Sequence, residues 1–143
     1  NVFEQLELHC PEHIFDLQGG LDTETASAIE QMGDTAAAGR DVGIAVFLAD
    51  DATPEQAETL RQRTYDDRDS IVLVISRSAE QREAGVGGTI ATALGGSLQE
   101  SVSNTALGAV LDKTDAALQS TSLSAAAERF FEAAAGFFGN PAT

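Results

Sequence analysis

The chain has 143 residues, 43% of them hydrophobic, enough for one buried core and too apolar for a disordered segment. Eight basic residues stand against 23 acidic ones, a formal net charge of −15. This balance argues against nucleic acid and anionic lipid as partners, since both are held by clusters of Lys and Arg, and leaves basic partners and divalent cations open.

Residues 1–12 are expected to form an N-terminal arm, with Val2 to Leu8 as an edge strand or ordered segment, and residues 13–143 a single domain. His13-Ile14-Phe15-Asp16-Leu17 alternates in polarity and reads as a short strand closed by the turn signal Gly19-Gly20. Asp22 is placed to cap a helix carrying Ala26, Ile29 and Met32 or Gly33 at helical spacing, which runs through Ala38 and stops at Gly39. Val42 to Leu48 is a continuous apolar run. Thr53-Pro54-Glu55-Gln56 then starts a helix, with Thr53 as cap, Pro54 at the first position and Gln56 closing a capping box. Ala57 and Leu60 are expected to face inward with Thr64 on the same stripe, and Arg61 and Arg63 to face solvent. After the polar loop Tyr65 to Ser70 comes a second apolar run, Ile71 to Ile75.

Ser76 to Gln81 reads as a polar turn, Arg82 to Val86 as the return strand of a hairpin broken by glycines, and Thr89 to Leu98 has no clear pattern. Ala106, Leu107, Val110, Leu111, Ala117 and Leu118 mark an amphipathic helix from about Thr105. A last helix starts near Ser122 or Ser124, with Leu123, Ala127, Phe130, Phe131, Ala134 and Phe138 on its apolar face, and ends at Gly139-Asn140-Pro141. The runs 42–48 and 71–75 are too short for long helices and too uniformly apolar for strands wetted on one side. They predict neighbouring strands buried on both faces, hence an α/β class with a parallel sheet covered by helices. Cys10 is the only cysteine, so no internal disulfide forms, and no apolar stretch is long enough to span a bilayer. Asn1 opens the chain without a signal-peptide pattern, as expected of a mature form or a piece of a longer protein.

Two acidic loops are candidate sites for a hard divalent cation: Asp50-Asp51 after the first apolar run, and Asp66, Asp67 and Asp69 before the second. Strand geometry puts the two loops at opposite ends of the sheet, and solvated turn or cap roles are favoured over a metal site for these Asp residues. His9-Cys10-Pro11-Glu12-His13 gathers zinc-ligand types but no spacing of a closed zinc site, so a structural role is favoured for both histidines and for Cys10. Gly85-Val86-Gly87-Gly88 and Gly95-Gly96 match no phosphate loop and are read as turns. Ser76 and Ser78 follow a strand without an evident base, and the Phe pairs read as core.

Two stretches together resemble the TPM domain family, named for a thylakoid lumen protein, a photosystem repair protein and a worm receptor modulator. His13-Ile14-Phe15-Asp16-Leu17-Gln18-Gly19-Gly20-Leu21-Asp22 is similar to the opening of such domains, and Ser70 to Ile75 with Arg82 and Gly85 to their second apolar strand and the hairpin after it. The likeness covers roughly residues 13–118, with Asp69-Ser70 in place of the family's Asn-Gly and a shortened glycine stretch. It implies a three-layer α/β/α sandwich with a small mixed, mostly parallel sheet. It also implies an extracytoplasmic location, often with a membrane tether, and in some members a divalent cation (calcium or magnesium) and weak phosphatase activity. The positions carried over for the metal are Asp16, Asp66, Asp67 and Asp69.

These readings predict a non-enzymatic, extracytoplasmic interaction module, tethered to a membrane by a segment outside this one. It would have a protein partner and would regulate or help assemble an envelope or membrane complex. The alternatives are a weak metal-dependent phosphatase using the acidic loop, and a small-ligand binder of the doubly wound kind with its pocket at the Asp50-Asp51 strand end.

Overall fold

Strands β2 (Gly43–Leu48) and β3 (Ser70–Ser76) lie side by side and parallel, Ile44 opposite Ile71 and Leu48 opposite Ile75. Every residue of β2 is buried, and all of β3 except Ser76, as continuous apolar runs require. The computed structural model describes residues 13–18, 21–37, 43–66, 68–96 and 98–137. The N-terminal arm, the Gly19-Gly20 turn, the helix stop at Gly39 and the Gly139-Asn140-Pro141 stop lie outside these residues, as do Val42 and Phe138.

A short strand β1 (Ile14–Asp16) pairs in parallel with β2, and β4 (Thr89–Gly95) runs antiparallel to β3, giving the order β1-β2-β3-β4. The pleat sends alternate residues to opposite faces. Ile44, Val46 and Leu48 join Ile71, Leu73 and Ile75 on one face, covered by helices α1 (Thr23–Ala37), α5 (Asn104–Ser120) and α6 (Leu123–Phe137), with Leu98 of the short α4 (Leu98–Ser101) in the same cluster. Ala45, Phe47, Val72 and Val74 form the other face with Ala91 and Ala93 of β4, covered by α2 (Pro54–Tyr65). The result is a three-layer α/β/α fold with a mixed, mostly parallel sheet.

Local chemistry sets the helix starts. Asp22 accepts from the Thr25 backbone N–H at 3.0 Å, Thr53 from Gln56 at 3.1 Å and Ser103 from Ala106 at 3.1 Å, each satisfying a donor that the first turn leaves open. In α6 the small side chains Ala126, Ala127 and Ala134 are buried with Phe130 and Phe131, which lets this helix approach both the sheet and α1.

The connections carry a topological feature. The crossovers β1–α1–β2 and β2–α2–β3 step in the same direction across the sheet, yet α1 covers one face and α2 the other. Same-direction crossovers on opposite faces have opposite hands. One of the two is therefore left-handed, where about 98% of such units are right-handed.

Two expectations are corrected. Arg82 to Val86 is not a hairpin strand. Residues Ala79–Ala84 form a short helix, α3, with a complete Ser78/Gln81 capping box and Gly85 as a left-handed C-cap at φ 83°. Ser78-x-x-Gln81 is a helix-start signal that the glycines behind it obscured. The strand that returns along β3 begins at Thr89, beyond those glycines.

Arg61 does not face solvent either: it is 4% exposed and, with Tyr65, occupies the inward stripe expected to continue at Thr64. Its guanidinium meets both Glu58 oxygens, with Nε to Oε1 at 2.9 Å and Nη2 to Oε2 at 2.6 Å, while Nη1 donates to the Asp66 carbonyl at 2.7 Å. Burial is tolerated because these partners replace water.

Thr114, on the buried face of α5, has no hydrogen-bond partner for Oγ1 among the described residues although it is 0% exposed. Thr114→Val removes the unmet hydroxyl while keeping the shape. It is expected to stabilise the fold by about 1 kcal/mol. The check is a higher urea midpoint at unchanged m-value; a lower midpoint would mean that the hydroxyl is satisfied.

Candidate ligand-binding site

A parallel sheet opens a crevice where neighbouring strands send their chains to opposite faces. Here β1 leaves toward α1 and β2 toward α2, so the carboxyl ends of β1 and β2 are left uncovered between them. A cleft of about 230 Å³ lies at this place. Its floor is Leu48, and one wall is the β1–α1 segment with Asp16, Gln18, Leu21 and Asp22. The opposite wall is Arg77, just past β3, with Arg82 and Gly85 of the α3 turn, and Ser122, Leu123 and Ser124 at the start of α6 complete the rim.

Arg77 dominates the electrostatics. It is 8% exposed; its Nε donates to the Gly87 carbonyl at 2.9 Å and its Nη2 to the Gln81 carbonyl at 3.0 Å. No carboxylate among the described residues pairs with it, nor with Arg82. Burial, then the nearby charge of Arg82, lowers the Arg77 pKa from its ordinary value, but a guanidinium stays protonated at neutral pH. Two cations without ion pairs thus face one cleft in a chain of net charge −15.

The acids of the cleft are engaged with backbone. Asp16 accepts from the Gln18 N–H at 3.2 Å and the Leu21 N–H at 3.0 Å, so it shapes the β1–α1 turn. Asp22 caps α1, and hydrogen bonds from the Thr25 hydroxyl and N–H hold its carboxyl below the usual carboxylate range, which makes it a weak base. Gln18 donates from Nε2 to the Arg77 carbonyl at 3.1 Å, while its Oε1 is buried with no partner among the described residues. Among the described residues the cleft lining holds no histidine, and its one hydroxyl bonded to a carboxylate is Thr25, which donates to the weakly basic Asp22.

The expected metal set is divided. Asp16, at the carboxyl end of β1, sits beside Leu48, whereas Asp66 and Asp69 precede β3 at the end of the sheet where Gly43 begins β2. Five strand steps, roughly 16 Å, separate these ends, so the carboxylates do not share an ion. Asp67 lies outside the described residues, as do His9, Cys10, Pro11 and Glu12. Asp50 is at the cleft end of the sheet, where its carbonyl accepts from the Ser76 hydroxyl at 2.8 Å, but it does not line the cleft. Ser78 is the α3 cap and His13 is buried. Arg77 and Gln18 carry no local sequence pattern that marks them as cleft residues. The one available signal was position: Arg77 immediately follows a buried strand, at the end where ligands gather.

A second groove, about 450 Å³, runs between α1 and α6. Met32, Ala36, Phe131 and Ala135 line it with Glu128 and Glu132, without convergent donors. No described helix is long and apolar enough to cross a membrane.

No family model and no curated protein matches the chain. Among solved structures, it is similar to the NMR structure of the N-terminal domain of the cg2496 protein from Corynebacterium glutamicum. The two share 14% sequence identity at a TM-score of 0.63, over 94% of this chain and 84% of that one. At that identity the likeness is one of fold.

Proposed function

We propose that this domain is a binding module rather than an enzyme, and that its cleft at the carboxyl ends of β1 and β2 takes a small ligand bearing a phosphate or carboxylate. One observation carries the reading: the buried guanidinium of Arg77, with no counter-ion among the described residues, lines that cleft. The position agrees with the doubly wound alternative, although Asp50-Asp51 is not part of the lining.

The test is an NMR titration of the 15N-labelled protein with inorganic phosphate and with phenyl phosphate, against chloride at equal ionic strength. Amide shifts are expected at Leu21, Gly85, Gly87 and Ser124, saturating with the anion. Arg77→Met removes charge-assisted bonds of about 1.5–3 kcal/mol each. Binding then weakens by roughly ten- to a hundredfold. The exposed Arg82→Gln, which leaves the fold intact, gives a smaller loss. Shifts identical with chloride, or unchanged in both variants, would exclude the anion site.

The resemblance of residues 13–22 and 70–75 to TPM domains, with helix α3 where the likeness called for a hairpin, supports a second reading that is compatible with the first. The module then acts outside the cytoplasm, attached to a membrane complex whose assembly or activity it regulates, with ligand occupancy as the signal. A photo-crosslinker at Arg82 in the full gene product, expressed in its own host, is expected to trap one membrane-fraction partner. Recovery only in the cytosolic fraction overturns this reading and leaves the anion site untouched.

A further inference from the structure

We propose that His13, Glu30 and Asp34 bind one first-row divalent metal ion, zinc by ligand type, which staples the edge strand β1 to helix α1. The site lies at the amino end of β1, away from the cleft, and the argument is independent of the anion reading.

The geometry starts with the ring. His13 is 6% exposed, and its Nδ1 lies 2.6 Å from the Ile44 carbonyl. A carbonyl only accepts, so Nδ1 carries the proton and Nε2 is the atom available to a metal. A backbone carbonyl in this role is how coordinating histidines have their tautomer and ring plane fixed. Nε2 points at α1 and comes within 3.2 Å of Asp34 Oδ1. Two ligands of a tetrahedral ion with bonds of about 2.1 Å are roughly 3.4 Å apart, so this spacing fits a shared ion with little movement.

Glu30 stands one turn before Asp34 on the same face of α1. Its Oε1 accepts from the His13 N–H at 2.9 Å and the Ile14 N–H at 3.3 Å, which holds the carboxylate against the start of β1. One ligand atom from each of the three residues lies within 4.8 Å of the others. A histidine–aspartate ion pair would need one carboxylate. The second places two negative groups together, a cost that a divalent cation reverses. Asp34 is solvent-exposed, which leaves an entry path and a coordination position for water. Phe131 meets the ring edge-on at 6.4 Å and limits its rotation.

The experiment uses untagged, chelator-stripped protein, titrated with zinc chloride by calorimetry and thermal unfolding, with magnesium chloride as control. Expected are one equivalent of zinc bound, a Tm that rises with zinc and not with magnesium, and a shift of the His13 Nε2 15N resonance. Asp34→Asn, at an exposed position, and Glu30→Gln, which can still accept the two backbone N–H groups, should each weaken zinc binding by more than about tenfold. Absence of heat and of a Tm change overturns the proposal. So does zinc binding that survives both variants and disappears in His9→Ala/Cys10→Ala.

Discussion

Gly95→Ala is expected to destabilise the domain by about 3 kcal/mol, the upper end of the cost of overpacking against a buried side chain. Alanine normally does better than glycine inside a strand, by roughly 0.5–1 kcal/mol. Here a Cβ at residue 95 would overlap the Nη1 and Cζ of Arg61. That guanidinium cannot swing aside cheaply, because it holds both oxygens of Glu58, the Asp66 carbonyl and, at 3.3 Å, the Ser70 hydroxyl. Arg61→Ala should cost a similar amount, by leaving those acceptors without a donor. The double variant decides the mechanism. With Arg61 truncated, the new methyl group finds room, so Gly95→Ala/Arg61→Ala should be little worse than Arg61→Ala alone, whereas independent sites would add. Additivity in urea unfolding would refute the steric account.

Acid adds a second readout of the same contact. The hydrogen bond from Arg61 is the largest cause lowering the Glu58 pKa from its ordinary 4.5. A depressed carboxylate pKa stabilises the fold above the unfolded value, and that contribution is lost as the pH falls through the folded one. The stability gap between wild type and Arg61→Ala should therefore narrow below about pH 4.5.

Gly33→Ala is expected to destabilise by about 2–3 kcal/mol, opposite in sign to the roughly 1 kcal/mol that helix propensity alone would add in favour of alanine. Gly33 is buried in the middle of α1, where a Cβ would overlap the Cβ and Cγ of His13. The obstacle is the root of the side chain rather than a flexible tip, and the ring is tied to Ile44 and Asp34. Relief requires α1 to move off β1, against its packing on α6. His13→Ala keeps the His13 Cβ, so it should rescue Gly33→Ala only in part, while His13→Gly should rescue it more fully. A Gly33→Ala variant that melts higher than wild type would refute the close approach of α1 to β1.

These two glycines mark the boundary of what is legible in the chain. Gly95-Gly96 invites a turn assignment and Gly33 a weak point in a helix. Both are sites where a distant side chain, Arg61 or His13, needs the space. Arg61 follows the same logic. Its helical position leaves solvent or core equally open, and the Asp66 carbonyl beyond the end of α2, the Ser70 hydroxyl and the gap at Gly95 favour the interior. The candidate cleft was legible in part. Asp22 is readable as a cap and the carboxyl ends of the strands as a place for ligands, but Asp16 reads as a metal position rather than the turn residue it is, and nothing local distinguishes Arg77 from the polar residues around it.

Local order in the chain is enough for the apolar runs of β2 and β3, their parallel pairing class, and the caps at Asp22 and Thr53; the cap at Ser103 emerges only in the structure. All of these rest on periodicity and on hydrogen bonds spanning a few residues. The tertiary structure decided which face each crossover helix covers, where the resulting crevice opens, and which arginines are withdrawn from water. Those outcomes depend on how the helices pack against the two faces of the sheet, which no short window of the chain specifies even where, as for Arg61 and Glu58, the hydrogen-bond partners are close in sequence.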